Sequence, residues 1–266
     1  MIFNLYKTII KKNQFVYLKI QIIKMILTID VGNTNIKAAV FEQDTLIYKE
    51  IFSTDTLFIG LKNIFKKHPN SLETIVSSVA NIPDEVILLL KKHSNLFYVS
   101  LESKFPFKNN YATPNTLGLD RKVLVSGAVL RYPNQNCLII DAGTCITYDF
   151  VDMHKNYLGG AISSGISMRY QALNYFTANL PKLQTEEPNS FIGNSTNQSI
   201  HSGVVIGLVY EIEGFINAYL TQYKYLTIIL TGGDTLFLAK RFKKPIFANS
   251  NFLLESLNLL YQYNKK

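Results

Sequence analysis

The sequence predicts an α/β protein made of two duplicated domains, each a mixed sheet flanked by helices. Three observations carry this reading. First, an apolar strand, Ile26 to Val31, runs into the polar turn Gly32-Asn33-Thr34 and leaves on a second strand, Asn35 to Phe41. Second, Cys137 to Val151 repeats that design: apolar strand, Asp141, an Ala-Gly-Thr turn, second strand. Each copy continues through another polar turn to a third strand, near Leu46 to Phe52 and near Tyr157 to Ile162. A supersecondary unit that recurs after about 100 residues points to duplication. Third, strands and helices alternate after the first unit, which requires parallel pairing.

A chain of 266 residues can form two domains of about 100–120 residues, each with its own core. The expected division is 25–135 and 136–266, with the last helix a candidate to pack back on the first domain. Hydrophobic content of 47% and charged content of 17% fit a soluble globular protein. The net charge of +8 is weak evidence for nucleic-acid binding. Residues 1–24 hold five lysines and no acid, and 27 basic residues less these five leaves 22 against 19 acidic, a net of +3. A nucleic-acid surface needs clustered charge on a folded face, and no such cluster stands out elsewhere. The first 24 residues have neither a signal-peptide core nor the length and apolarity to span a bilayer. They read as an extension ahead of a start at Met25, with an amphipathic targeting helix as the alternative, and the protein reads as cytoplasmic.

Within the first half, Leu57, Ile59, Leu61, Ile64 and Phe65 have mostly helical spacing over Thr56 to His68, and His68-Pro69-Asn70 stops the helix. Thr74 to Val79 is a buried strand. Pro83 opens a helix at a first-turn position, with Asp84 and Glu85 suited to its positive end, and Leu96 to Val99 is another strand. Ser103 to Thr116 reads as loop, and a helix runs from Lys122 to Arg131. In the second half, Gly159 to Ile166 leads into a helix containing Met168, Ala172, Leu173 and Phe176. A loop with Pro181 and Pro188 precedes a long helix, Gln198 to Tyr219, whose Gly203 and Gly207 permit close helix contact or an adenine face. Thr227 to Asp234 is an apolar strand ending in Gly-Gly-Asp. Residues 236–242 and 251–262 read as helices, with strand-like Pro245 to Ala248 between them.

The chemistry-bearing residues sit at the turns. Gly32 lets backbone N–H groups approach a phosphate, Asn33 and Thr34 add donors, and Asp30 suits a hydrated cation; Gly-Asn is equally an ordinary hairpin turn pair. Asp120, at or near a helix N-terminus beside Arg121, reads either as an N-cap or as a general base beside an anion-binding arginine. The glycines at 159–160 read either as a phosphate cradle before a helix or as a tight connection. The two cysteines, Cys137 and Cys145, lack zinc-ligand spacing and read as plain thiols, and the four histidines have no catalytic partner pattern.

Taken together, DVGNTN (30–35), GLDR (118–121), DAGT (141–144), GGAI (159–162), IGNST (192–196) and TGGD (231–234) resemble the type III pantothenate kinases, within the acetate/sugar kinase, heat-shock protein and actin superfamily. Each motif alone is weak; all of them in the family's order, from Met25 nearly to the C-terminus, are specific. The resemblance implies two ribonuclease-H-like (actin-like ATPase) domains and ATP-dependent phosphorylation of pantothenate to 4′-phosphopantothenate, the first step of coenzyme A biosynthesis.

It also implies roles. Asp30, Val31, Gly32, Asn33, Thr34, Asn35, Ile36 and Lys37 would form the ATP-phosphate loop, with Asp30 near a divalent cation through water. Thr144 would contact ATP, and the TGGD turn would lie by the nucleoside. Asp120 would accept the hydroxyl proton. Tyr111, Gly118, Leu119, Asp120, Arg121 and Thr196 would bind pantothenate, Thr196 from across a dimer interface. Asp141 would hold a monovalent cation. ATP as co-substrate, Mg2+, and K+ or NH4+ are implied, as is a homodimer with no nucleic-acid or membrane partner. Ser164 stands where the family commonly has proline, and the N-terminal extension is not a family feature. The competing readings are a non-catalytic nucleotide-binding regulator of the same fold and a kinase for another small acid or sugar.

Overall fold

The computed structural model describes residues 25–32, 34–69 and 72–265; the extension 1–24 and Asn33 lie outside the described residues. β1 (Met25–Val31) is almost entirely buried, as a central strand covered on both faces must be. It pairs antiparallel with β2 (Ile36–Glu42), which pairs antiparallel with β3 (Thr45–Phe52). On its other side β1 pairs parallel with β4 (Leu72–Ser78), reached through helix α1 (Thr54–Lys67). A second crossover helix, α2 (Asp84–His93), leads to β5 (Ser94–Tyr98), giving the order β3-β2-β1-β4-β5. Leu57, Leu61, Ile64 and Phe65 of α1 and Val86, Leu89 and Leu90 of α2 cover one face of this sheet.

The chain then runs through a short edge strand, β6 (Lys108–Asn109), a 3-10 turn at Pro114–Thr116 and helix α3 (Leu119–Arg131) into the second sheet. There β7 (Asn136–Ala142) pairs antiparallel with β8 (Cys145–Val151), which pairs antiparallel with β9 (Asn156–Ser164). Helix α4 (Ile166–Tyr175) and the long helix α5 (Thr196–Gln222) follow. β10 (Leu226–Thr231) pairs parallel with β7; after a short helix, α6 (Thr235–Ala239), β11 (Phe247–Ala248) pairs parallel with β10. The order β9-β8-β7-β10-β11 repeats β3-β2-β1-β4-β5 in both position and strand direction, so the recurrence seen in the sequence is a recurrence of topology. Among the described residues, α5 is the one helix long and apolar enough to cross a membrane. Its Ile200, Val204, Leu208, Ile212 and Ile216 are buried against Leu138, Ile140 and Tyr148 of the second sheet.

The final helix, α7 (Phe252–Lys265), packs along α3, and the two join the sheets. One continuous core contains Ile26, Phe41 and Ile75 from the first sheet and Cys137, Ile139 and Ile229 from the second. It also holds Val123, Leu124 and Ala128 of α3 and Leu254, Leu257 and Leu260 of α7. Gly127 of α3 lies directly against Ser256 of α7, and a side chain at 127 would force the helices apart.

Several local expectations need correction. The segment 103–116 is not all loop, because Lys108–Asn109 adds a strand to the edge of the second sheet. Pro83 caps α2 rather than opening it, since its backbone is extended (ψ 140°). Gly118 takes the cap of α3, so Asp120 is its second residue and not its N-cap. Gly159 and Gly160 lie inside β9, at an irregularity in the pairing with β8, and do not precede a helix. Gly159 adopts φ +106°, a conformation other residues resist, and there the ring of Tyr111 would sit 3.3 Å from an added Cβ. Among the described residues nothing lies within 4 Å of a Cβ added at Gly203 or Gly207.

Because Leu257 is fully buried in the core shared by both sheets, Leu257→Ala should destabilise the protein by about 2–5 kcal/mol in urea unfolding. The exposed Leu236→Ala should stay within about 0.5 kcal/mol of the parent. Equal effects would mean that this shared core does not carry the fold.

Candidate active site

Asp30 stands near the end of β1 and Asp141 near the end of β7, topologically equivalent strands of the two sheets. Asp120 stands in the first turn of α3. Repetition of one strand-turn unit therefore brings two carboxylates to one cleft, and the α3 connection brings the third. The cleft, ≈ 270 Å³ in volume, is lined by these three aspartates together with Gly32, Thr34, Asn35 and Lys37 from the first sheet and Gly143, Thr144, Thr147, Gly232 and Gly233 from the second. Thr34 Oγ1 and Thr144 Oγ1 meet at 3.3 Å, a direct bridge between the two turns.

The electrostatics follow from crowding carboxylates away from water. Burial pushes the Asp30 carboxyl up to about 7, with Lys37 opposing and Asp141 and Asp120 adding to the rise. Burial likewise takes Asp141 up to about 6, again against Lys37. Asp120 is raised too, mainly by burial, although its Oδ1 accepts the Arg121 backbone N–H at 2.8 Å. Lys37 supplies the cation among the lining side chains. It is paired in register with Asp30 across β1 and β2, which is why it faces the same cleft. Among the described residues no three His, Cys, Asp or Glu side chains cluster as a ready-made metal cage. A cation here would take much of its coordination from water and phosphate oxygens.

The remaining sequence candidates divide. Val31 and Ile36 are in the core of the first sheet, so only their backbones are available to a ligand. Gly118 and Leu119 are at the start of α3. Arg121, 6% exposed, turns inward: its Nε and Nη2 reach Asp149 Oδ1 at 2.9 and 2.8 Å, and its Nη2 donates to Tyr157 Oη at 3.0 Å. Tyr111 lies under the same guanidinium, 5.7 Å from ring centre to Cζ. Thr196 is not in the cleft. It lines a separate cavity of ≈ 760 Å³ with Arg169, Leu173, Ile200 and Gly203. The sequence reading missed Asp149, Tyr157 and Thr147. A carboxylate inside the apolar strand ITYDFV was the available signal, because such a group is buried only with partners.

Two mixed, helix-flanked sheets of repeated topology, meeting at a cleft lined by Asp, Gly and Thr turns from both, define the actin-like ATPase and sugar-kinase class of fold. Over residues 26–218 the chain matches the model of the type III pantothenate kinase family, and it belongs to that family. Type III pantothenate kinases of Flavobacterium psychrophilum and Flavobacterium johnsoniae are 55% and 54% identical to it. The first alignment covers 91% of this chain and all of the relative, the second 90% and 98%. A solved structure of a Baf family protein from Campylobacter jejuni shares the fold at a TM-score of 0.58 and 22% identity, over 90% of this chain and 98% of that one.

The raised Asp30 carboxyl makes a linkage prediction. Its ordinary value is 3.8 and its folded value about 7, so the neutral form favours folding. That contribution is complete below the ordinary value and is lost as pH rises through the folded one. Asparagine is neutral throughout. In buffer free of magnesium and potassium, the melting temperature of Asp30→Asn relative to the parent should rise by several degrees between about pH 4 and about pH 7, then level off. A difference that does not vary with pH would show that the Asp30 carboxyl is not raised in the folded protein.

Proposed function

We propose that the chain transfers the γ-phosphoryl group of ATP to the primary hydroxyl of pantothenate, giving 4′-phosphopantothenate and ADP in the first step towards coenzyme A. The observation that carries this is the convergence of Asp30, Asp120, Asp141 and Lys37 with the glycine turns of both sheets in one cleft. Phosphoryl transfer asks a protein mainly for alignment and for neutralisation of charge on phosphate oxygens. Thr34 and Thr144 offer hydroxyls to the phosphates, the glycine turns let the backbone approach them closely, and Lys37 offers a positive charge.

Asp120 orients the pantothenate hydroxyl and accepts its proton as the oxygen–phosphorus bond forms and the bond to ADP breaks. Its raised proton affinity suits that task, since a base poised nearer neutrality holds the proton better. Asp30 and Asp141 are a donor set suited to cations, because burial makes their bare charge costly. Asp30 would hold Mg2+ through water and Asp141 would hold K+ or NH4+. Such ions offset the charge of the triphosphate.

Pantothenate is itself an anion, and Arg121 with Tyr111 forms the wall expected to meet its carboxylate. A homodimer would complete the pocket through Thr196 of a second copy. This is supported by the exposure of Tyr175 (82%) and Phe176 (80%), with Ile162, Phe191, Ile192 and Tyr210, around that half of the molecule. Cytoplasmic location and the absence of nucleic-acid partners belong to the same reading.

The test is ATP consumption by the full chain with magnesium, with and without pantothenate, in potassium and then in sodium buffer. Turnover should require pantothenate and be greater in potassium. Asp120→Asn should lower kcat by roughly 10²–10⁴-fold. In the parent enzyme, kcat/KM should fall on the acid side as Asp120 becomes protonated, from a pH above the ordinary carboxylate range. ATP turnover indifferent to pantothenate would overturn the reading.

A further inference from the structure

We propose that Asp149 is a positioning residue for recognition of the substrate's carboxylate, acting by fixing the edge of the Arg121 guanidinium that is left to face the ligand. The inference rests on the reading of Arg121 as part of the pantothenate pocket and names what makes that arginine selective. Asp149 is fully buried in the middle of β8, among apolar neighbours on the same strand. Its Oδ1 accepts from Arg121 Nε and Nη2 and from Tyr157 Oη at 2.7 Å, and its Oδ2 accepts from Thr147 Oγ1 at 3.2 Å. Both carboxylate oxygens are therefore engaged, and one side of the guanidinium is taken.

A guanidinium presents five donors in a rigid plane. Asp149 takes Nε and one hydrogen of Nη2, and Tyr157 takes the other, so the plane cannot turn and the donors that remain, those of Nη1, are in fixed positions. Tyr157 holds the same corner from the other side, bonded to both partners. Tyr111 lies beside Tyr157, with ring centres 6.0 Å apart and planes tilted by 34°, and rests against Gly159, so the aromatic wall and the arginine are set as one unit. Thr147 ties Asp149 to the cleft, which it lines. An unheld arginine would still attract an anion, but from many orientations. Held by Asp149, it offers its charge and the Nη1 donors in one geometry, which favours an anion over a neutral group.

The experiment compares three quantities in the full-length enzyme: KM for pantothenate, KM for ATP, and the inhibition constant of the neutral alcohol analogue in which a hydroxymethyl group replaces the carboxylate. In Asp149→Asn, KM for pantothenate should rise about 10-fold or more, while the other two constants move less than about 3-fold. A merely structural role would move all three together. Tyr157→Phe, which keeps the ion pair and loses one support, should raise KM for pantothenate about 2–5-fold with kcat little changed. It also serves if Asp149→Asn does not fold. Arg121→Met separates the two layers of the argument. If it raises KM for pantothenate while the Asp149 and Tyr157 variants do not, the positioning proposal is overturned and the role of Arg121 stands. If Arg121→Met leaves KM for pantothenate unchanged, the reading of Arg121 fails and takes the proposal with it.

Discussion

Three carboxylates share a small cleft with one lysine, and that crowding is the constraint on which the rest of the structure turns. Left to themselves, Asp30, Asp120 and Asp141 would move apart or hydrate, because burial and mutual repulsion both oppose their ionisation. They cannot do so, because each is fixed to a rigid element. Two are at the ends of central strands and one is in the first turn of a helix. A single apolar core, running from the first sheet through α3 and α7 to the second, holds these elements in place. The cost of the arrangement is met by core packing, and its product is a site whose carboxyls hold protons more tightly than usual.

Duplication explains how the site is built; divergence explains how it is used. β1 and β7 occupy equivalent places, and each has an antiparallel neighbour on one side and a parallel neighbour on the other. The residues in register with the two aspartates differ. Asp30 is opposite Lys37 and beside Ser77, whereas Asp141 is opposite Thr147 and beside Thr231. One carboxylate has a cation across the ladder and the other has only hydroxyls. Equal backbones with unequal neighbours give the two acids different surroundings.

Much of the fold was legible because its signals are local. The strand-turn-strand units were visible as apolar runs ending in Asp and Gly, and the long helix as a stripe from Ile200 to Phe215. The two-residue strand β6 was not legible, since pairing at a sheet edge depends on β9 and not on its own residues. The cap of α3 was misread because Gly118, with no side chain to signal a cap, begins the helix earlier than its apolar pattern suggests. In the site, residues whose side chains face the cleft from the turns were found. Asp149 was not, because its role comes from α3 packing against β8, a contact between segments 28 residues apart.

The buried pair of Arg121 and Asp149 is not explained by stability. Removing two charges from water costs several kcal/mol per ion, and a well-packed apolar pair of similar volume often serves as well or better. The fold meets that cost and adds the hydroxyls of Tyr157 and Thr147, so that every oxygen of Asp149 is engaged. Burial works against the charge of Arg121, and the Asp149 carboxylate more than offsets it, so the guanidinium stays protonated. What such an assembly supplies, and an apolar one does not, is a permanent cation held in one orientation beside the Asp120 carboxyl. Asp120 immediately precedes Arg121 in the first turn of the same helix, so whatever fixes the arginine also fixes the turn that carries the proposed base. On the proposed reading, recognition of the acid end of the substrate and activation of its hydroxyl end are thereby tied to a single helical turn.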